Sequence, residues 1–336
     1  MAAIFPVVSS GAFDTTPSYS GGFIPQLWSN KLNAKFYQNT MLSEISNTSW
    51  EGEIKNQGDS IRIRTAPSIT ITDYAGAGTT LSTETPVPIY TDLQINKGKY
   101  FSVQVNDVLA HQADIDLMNM FTDDAAKQLK IAIENEVFFQ WFVTEGAKAV
   151  ENKGAAAGAI SASYNLGTDL VPVNQATSGE LLKMILRMSA ALDEQNVPEE
   201  GRWLLMSPHD RHILMQSDIA QAYFTGDSAS IVRTGKIGML DRFTVYVSNL
   251  LPHGTTAKAT VAGLSATSTG ATLTNAKPRR MMVAGTSAAC AFASQISKTE
   301  PLRNQTDFGD IVRGLSVYGR KVVKETALVT ALIGTP

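Results

Sequence analysis

SIRIRTAPSITIT, residues 60–72, alternates Ile61, Ile63, Ile69 and Ile71 with Arg62, Arg64, Thr70 and Thr72. Side chains two apart share one face of a strand, so this spacing predicts a strand with one apolar and one polar face. DLQINKGKYFSVQV (92–105) repeats the alternation through Leu93, Ile95, Phe101, Val103 and Val105. Between them DYAGAGTTLSTETPVPIY (73–90), with Tyr74 near its start, is a Gly/Thr/Pro tip without a core of its own. The reading is two long strands joined by a long loop. An isolated two-stranded ribbon is marginal in water and exposes its backbone edges. Such a ribbon is expected to lie on another molecule.

The segment before it, 1–58, mixes Gly, Ser, Thr and Pro with Phe5, Phe13, Tyr19, Phe23 and Trp28. Apart from a short helical pattern in Leu27, Trp28, Leu32 and Phe36 it has no sustained period, and its aromatic content is unlike a solvated tail. It reads as an arm that becomes ordered against a partner. After the ribbon, ADIDLMNMFTDDAAKQLKIAIENEVFFQWFV (113–143) changes to the helical period. Met118, Phe121, Ala125, Leu129, Ala132, Phe139 and Val143 fall on one stripe, and Asp123, Lys127, Lys130 and Glu134 on the opposite one. Neither Gly nor Pro interrupts it, which predicts one helix of roughly 45 Å. Glu136 falls on the apolar stripe, where a carboxylate requires a partner, so a structural ion pair within or between chains is expected there.

ENKGAAAGAISASYNLGTDL (151–170) is a Gly/Ala/Ser-rich connector, and beyond it helices and strands alternate. GELLKMILRMSAALDEQ (179–195) buries Leu181, Leu182, Ile185, Met188 and Leu192 on one helical face. RWLLMS (202–207), FTVYVSNLLP (243–252) and RRMMVAG (279–285) read as buried strands, the last two separated by a Thr/Ala/Gly-rich insertion at 253–278. The closing FGDIVRGLSVYGRKVVKETALVTALI (308–333) is strand-patterned and expected to return to the long helix. The fold class is α+β.

At 336 residues the chain can bury a sizeable core, and 43% hydrophobic against 18% charged residues leaves few surface charges for water. That balance points to surface facing other protein. A net charge of −3 argues against a principal role in gripping phosphate backbones. No stretch approaches the roughly 18 apolar residues of a membrane span, and no secretory signal opens the chain. The lone Cys290, within GTSAACAFA, reads as a buried inert thiol.

NVPEEGRWLLMSPHDRHIL (196–214) holds the strongest catalytic candidate, His209 and His212 on one helical face. A zinc site needs at least a third ligand, and the other histidines, His111 and His253, lie far off in sequence. The same residues make a helix start: Ser207 as N-cap, Pro208 at the first position, Asp210 in the first turn. YAGAGTT and RTGKIGML complete neither a dinucleotide fingerprint nor a phosphate loop, and GTSAA is no nucleophile elbow. The expectation is no enzyme, no cofactor and no metal, with a metal-dependent enzyme using His209 and His212 as a remote alternative.

Three stretches in order, NVPEEGRWLLMSPHDRHILMQ (196–216), GKIGMLDRFTVYVSNLLP (235–252) and AFASQISKTEPLRNQTDFGDIVRGLSVYGRKVV (291–323), resemble the major capsid proteins of tailed bacteriophages. The likeness runs from about residue 20 to 330, with Gly238–Met239 and GDIVRGLSVYG its most telling parts. It implies the Hong Kong 97-like fold: an N-terminal arm (1–58), an extended β-hairpin loop (59–105), a peripheral domain with a spine helix (106–164 and 301–336), and an axial domain (165–300) carrying the insertion 253–278. Function would then be self-assembly, as pentamers and hexamers, into an icosahedral shell enclosing packaged double-stranded DNA. The shell would form in the host bacterial cytoplasm through a procapsid and end as the virion capsid. Encapsulins share this fold, so an encapsulin-like compartment is the alternative.

Some family members cross-link a hairpin Lys to a neighbour's Asn; here 73–90 holds no Lys, and Lys97 and Lys99 sit near the base, so that link is not expected. Met1 leads at once into the arm, so a separate scaffolding protein is expected, beside a portal, a decoration protein and weak non-specific contact with DNA. Inter-subunit contacts are expected at Trp28, Ile69, Ile71 and Tyr74, and between Arg62 or Arg64 and a neighbour's Asp123, Asp124 or Glu134, with Glu136 as a further interface candidate.

Overall fold

The structure is a computed structural model that describes residues 37–50, 60–74, 76, 83–112, 116–145, 149–168, 171–174, 178–215, 238–254 and 279–334. In chain order the helices are α1 (Leu42–Ile45), α2 (Asp107–Gln112), α3 (Leu117–Phe138), α4 (Ser178–Glu194) and α5 (Pro208–Met215); α3 widens to π-helical pitch over Phe139–Glu145. The strands are β1 (Ser60–Thr65), β2 (Ile89–Gln94), β3 (Lys97–Asn106), β4 (Val173–Asn174), β5 (Arg202–Met206), β6 (Met239–Leu240), β7 (Phe243–Val247), β8 (His253–Gly254), β9 (Arg279–Thr286), β10 (Cys290–Arg303), β11 (Gly309–Val322) and β12 (Leu328–Gly334).

They form three sheets. β1 and β2 make an antiparallel ribbon, β10, β11 and β3 a three-stranded antiparallel sheet, and the rest a mixed sheet in the order β4-β12-β9-β5-β7-β6, with β8 on β9. All five residues of β5 are buried, as a strand covered on both faces requires. Leu181, Met184, Ile185, Met188 and Leu192 of α4 join Trp203, Leu204 and Leu205 of β5, Val283 of β9 and Val329 of β12 in one core. The α+β expectation holds.

Three sequence expectations need correction. The second strand of the expected hairpin is two strands: β2 pairs with β1, whereas β3 leaves the ribbon and pairs with β11 from Tyr318↔Lys97 to Gly309↔Asn106. Alternation shows that a segment is a strand without naming its partner. The closing strand β12 pairs with β9 and β4 in the larger sheet, so 328–334 parts company with the 301–322 region it was grouped with.

The third concerns the long helix, expected over 113–143. α3 starts at Leu117, where the Asp116 carboxylate accepts a hydrogen bond from the Asn119 N–H at 3.2 Å and caps the first turn. Its buried face is also shorter than the expected stripe. Met118, Phe121 and Leu129 are half-buried and Ala132 is exposed, while Ile133, Val137, Phe138, Trp141 and Phe142 are buried. The C-terminal end of the helix enters the main core, where the Phe142 ring lies 6.3 Å from that of Trp203. The rest runs over β3 and β11.

Candidate functional site

Among the described residues the ribbon is anchored at its base. Ile61 and Ile63 pack with Trp50, Val317 and Val323 against buried Leu93, Ile95, Ala291 and Ala293. Gly319 of β11 permits that approach: a Cβ there would stand 2.5 Å from the Gln94 carbonyl oxygen and 2.9 Å from Ile95 Cγ1. Toward the tip nothing of the described chain covers the apolar residues. Ile69 is 64% exposed, Ile71 90%, Tyr74 69%, Val87 76% and Ile89 60%. The strand expected over 60–72 ends at Thr65, so Ile69 and Ile71 lie beyond β1, outside any strand. The Thr70 N–H donates to Glu84 at 3.0 Å, tying the two limbs of the loop together.

Arg62 does not wait for a neighbour. Its register partner is Asp92, which it meets at 3.0 Å, and its guanidinium lies 4.1 Å from the centre of the diagonally placed Tyr90 ring. Asp92, Tyr90 and Glu84 went unread in the sequence; counting register back from the ribbon's base would have set Asp92 opposite Arg62. Arg64 is exposed and has no ion-pair partner among the described residues.

The carboxylates of α3 divide into three groups. Asp123 pairs with Lys127, and Asp124 accepts from the Tyr37 hydroxyl at 2.8 Å while Lys127 lies over the Tyr37 ring. Glu134, expected on the solvent side and facing a neighbour's arginine, is instead 1% exposed. It accepts from Met41 N–H at 2.9 Å and Leu42 N–H at 3.1 Å, where α1 begins. The root of the N-terminal segment covers this face of the helix, so Glu134 is no surface contact. Burial raises its carboxyl and the two backbone hydrogen bonds only partly offset that.

Glu136 fulfils the structural ion pair read from the apolar stripe, within the chain. Lys99 reaches it at 2.8 Å, Arg320 at 2.7 Å, and the Tyr318 hydroxyl donates at 2.8 Å. Burial pushes this carboxyl up, but the hydrogen bonds from Lys99, Arg320 and Tyr318 outweigh it and hold it at about 2. Burial, then the hydrogen bond to Glu136 and its charge, raise the Tyr318 hydroxyl. Two turns on, Glu145 accepts from the Val322 N–H at 2.7 Å. These carboxylates clamp α3 to β3 and β11. Trp28 lies outside the described residues.

His209 and His212 are exposed on α5. Ser207 caps that helix: its Oγ accepts from the Asp210 N–H at 3.2 Å and donates to the Asp210 carboxylate at 2.6 Å. Asp210 is buried and paired with Arg280 at 2.9 Å. Among the described residues no group of three His, Cys, Asp or Glu is placed to hold a metal ion. Cys290 is buried, and burial raises its thiol out of the reactive range. Among the described residues no helix is long and apolar enough to cross a membrane.

The prominent features of this chain are therefore an exposed apolar loop and a clamped scaffold behind it. A family model described as phage capsid protein matches residues 89–331. None of the curated proteins matches the chain. Among solved structures, one from Mycobacterium phage Che8 superposes with a TM-score of 0.71 at 24% identity, covering 93% of this chain and 98% of that one. The capsid of cyanophage P-SCSP1u superposes at 0.66 with 16% identity and 99% of both chains covered. The capsid chain of a native GTA particle does so at 0.57 with 12% identity, over 97% of this chain and 99% of that one. These likenesses give the Hong Kong 97-like capsid fold.

Proposed function

The chain belongs to the phage capsid protein family, a structural component of the virion capsid, and from that premise we propose that identical copies form pentamers and hexamers that close an icosahedral shell around packaged double-stranded DNA. The observation that carries this reading is the ribbon, whose apolar tip the described chain leaves in water. Buried on a neighbour, such residues contribute about 25 cal/mol per Å² removed from water. Summed over several neighbours, such modest contacts suit a shell that corrects errors as it grows. Ile69, Ile71, Tyr74 and Arg64 are the contact residues of this reading, with Trp28 of the arm. Arg62, Asp123, Asp124, Glu134 and Glu136 are occupied within the chain and drop out.

The division of labour follows the sheets. The arm (1–58) and the ribbon (59–96) reach neighbours. The three-stranded sheet with α3 forms the peripheral domain, and the mixed sheet, β12 included, forms the axial domain around the five-fold and six-fold axes. A separate scaffolding protein, a portal and a decoration protein are the partners this reading calls for. DNA contact is non-specific and, at a net charge of −3, weak. The test is expression of the chain alone and then with a candidate scaffolding protein, followed by sedimentation velocity and negative-stain microscopy. Closed shells or capsomer-sized rings are expected; a persistent monomer at high concentration in both preparations overturns the reading.

A further inference from the structure

A cleft of about 510 Å³ opens at the N-terminal end of α3, between that helix and the ends of β3, β10 and β11. Its wall is apolar: Val105, Leu117, Met118, Leu302 and Val312. Its rim carries three carboxylates, Asp107, Asp116 and Asp310, against one guanidinium, Arg303, which pairs with Asp107 and Asp310. Among the described residues the rim is thus left with an excess of two negative charges over an apolar floor.

The chain itself points to what fits there. Residues 37–42 run along α3 toward this end: Met41 and Leu42 are held at Glu134, and Tyr37 at Asp124. Leu117 is seven residues before Asp124, on the same helical face and about 10 Å away along the axis. Extended chain advances about 3.3 Å per residue, so three or four residues preceding Tyr37 span that gap. Those residues belong to KLNAKF, 31–36. Lys31 and Lys35 are the only Lys or Arg of residues 1–36, Asp14 is the only acid, and Leu32 and Phe36 flank the basic pair with apolar bulk.

We propose that residues 31–36 dock into this cleft of their own chain, Leu32 and Phe36 against its apolar wall and Lys31 and Lys35 against Asp107, Asp116 and Asp310. The arm is then strapped along the whole of α3 before it leaves the subunit. The proposal does not depend on the capsid reading: it concerns one chain and holds or fails in a dissociated subunit.

Carbodiimide coupling tests it. The carboxylate adds to the carbodiimide as an O-acylisourea, the lysine amine attacks its acyl carbon to form the amide, and the activating group leaves as the urea with the carboxylate oxygen. Treated full-length chain, mixed from ¹⁴N and ¹⁵N preparations, is digested and its cross-links assigned by mass spectrometry. The Lys99–Glu136 pair, 2.8 Å apart, is the internal control. The expected result is a same-isotope link from Lys31 or Lys35 to Asp107, Asp116 or Asp310. Control links without these, or only mixed-isotope links from the arm of a second copy, overturn the proposal. A chain carrying Leu32→Asp and Phe36→Asp keeps both lysines and should lose at least tenfold in link yield with the control unchanged. An unchanged yield rejects the apolar docking, and if the control is lost too, the unaltered chain decides.

Discussion

The mixed sheet and the ribbon are both built from strand-patterned sequence, yet one hides its apolar residues and the other displays them. In β5, Trp203, Leu204, Leu205 and Met206 are each no more than 2% exposed. Along the loop, Ile71 is 90% exposed and Val87 76%. The mixed sheet is covered by α4 and the end of α3, so the chain completes its own core. Among the described residues the ribbon has a neighbour only at its base, where β11 and the 290s close over Leu93 and Ile95. That exposed apolar surface is what the proposed contacts between copies would cover.

The comparison is tested most severely in the main core. Phe138, fully buried beside Phe142 at a ring separation of 5.2 Å, should cost about 3–5 kcal/mol on Phe138→Ala. Urea denaturation of dissociated subunits measures it. A loss under about 1 kcal/mol would mean that the core repacks freely and that the contrast with the ribbon is one of degree.

The clamp between α3 and the three-stranded sheet comes next. Glu136→Gln keeps the shape and removes the charge that Lys99 and Arg320 share, for an expected loss of about 1.5–3 kcal/mol. The pH dependence has a definite sign. Glu136 sits at about 2 in the folded chain, below its ordinary 4.5. Its contribution is therefore full above about pH 5 and lost as pH falls through 4.5 toward 2. Glu134, two residues away, is shifted upward, so its charge opposes the fold at neutral pH and its protonation favours it. Unfolding free energy followed from pH 6 to 3 should fall less steeply in Glu136→Gln than in the unaltered chain. An identical slope would remove Glu136 from the account.

What the sequence disclosed follows the same division. RWLLM announced a strand covered on both faces, and Ser207-Pro208 announced the start of α5, because both signals are local. Glu136 was legible because a carboxylate on an apolar stripe needs a partner nearby. Glu134 was not, because Met41 and Leu42, which bury it, arrive from 93 and 92 residues away. The partner of β3 was hidden for the same reason: alternation defines a face, and pairing with β11 depends on how the whole chain returns. The exposed ribbon tip was readable only in outline: the Gly/Thr/Pro stretch 73–90 has no core of its own, but Ile69 and Ile71, read as part of a strand over 60–72, lie beyond its end at Thr65.

At the joint between the two regions the expected effect is smaller. Gly319→Ala sets a methyl group against the Gln94 carbonyl and Ile95, where either strand must shift. About 1–2 kcal/mol of strain is expected, concentrated at the base of the ribbon. Amide exchange should quicken in β1 and β2 while β5 and β9 hold their protection. Uniform quickening across both would mean that ribbon and body open as one unit.

The smallest effect on the subunit is the one that bears most on function. Ile71 makes no core contact, so Ile71→Ser should change the stability of the dissociated subunit by less than about 0.5 kcal/mol. The same substitution removes apolar area from every copy of the loop. If the loop is buried on a neighbour in the shell, the loss recurs at each such contact, and assembly must then fall at a concentration where the unaltered chain closes shells. Sedimentation velocity on both chains at matched concentrations reads this directly. Normal shells from Ile71→Ser would place the contact elsewhere on the loop, with Val87 and Ile89 of the opposite limb next to be changed. A subunit destabilised by more than about 1 kcal/mol would instead mean that the tip already lies against its own chain, and the distinction between the two regions would fail.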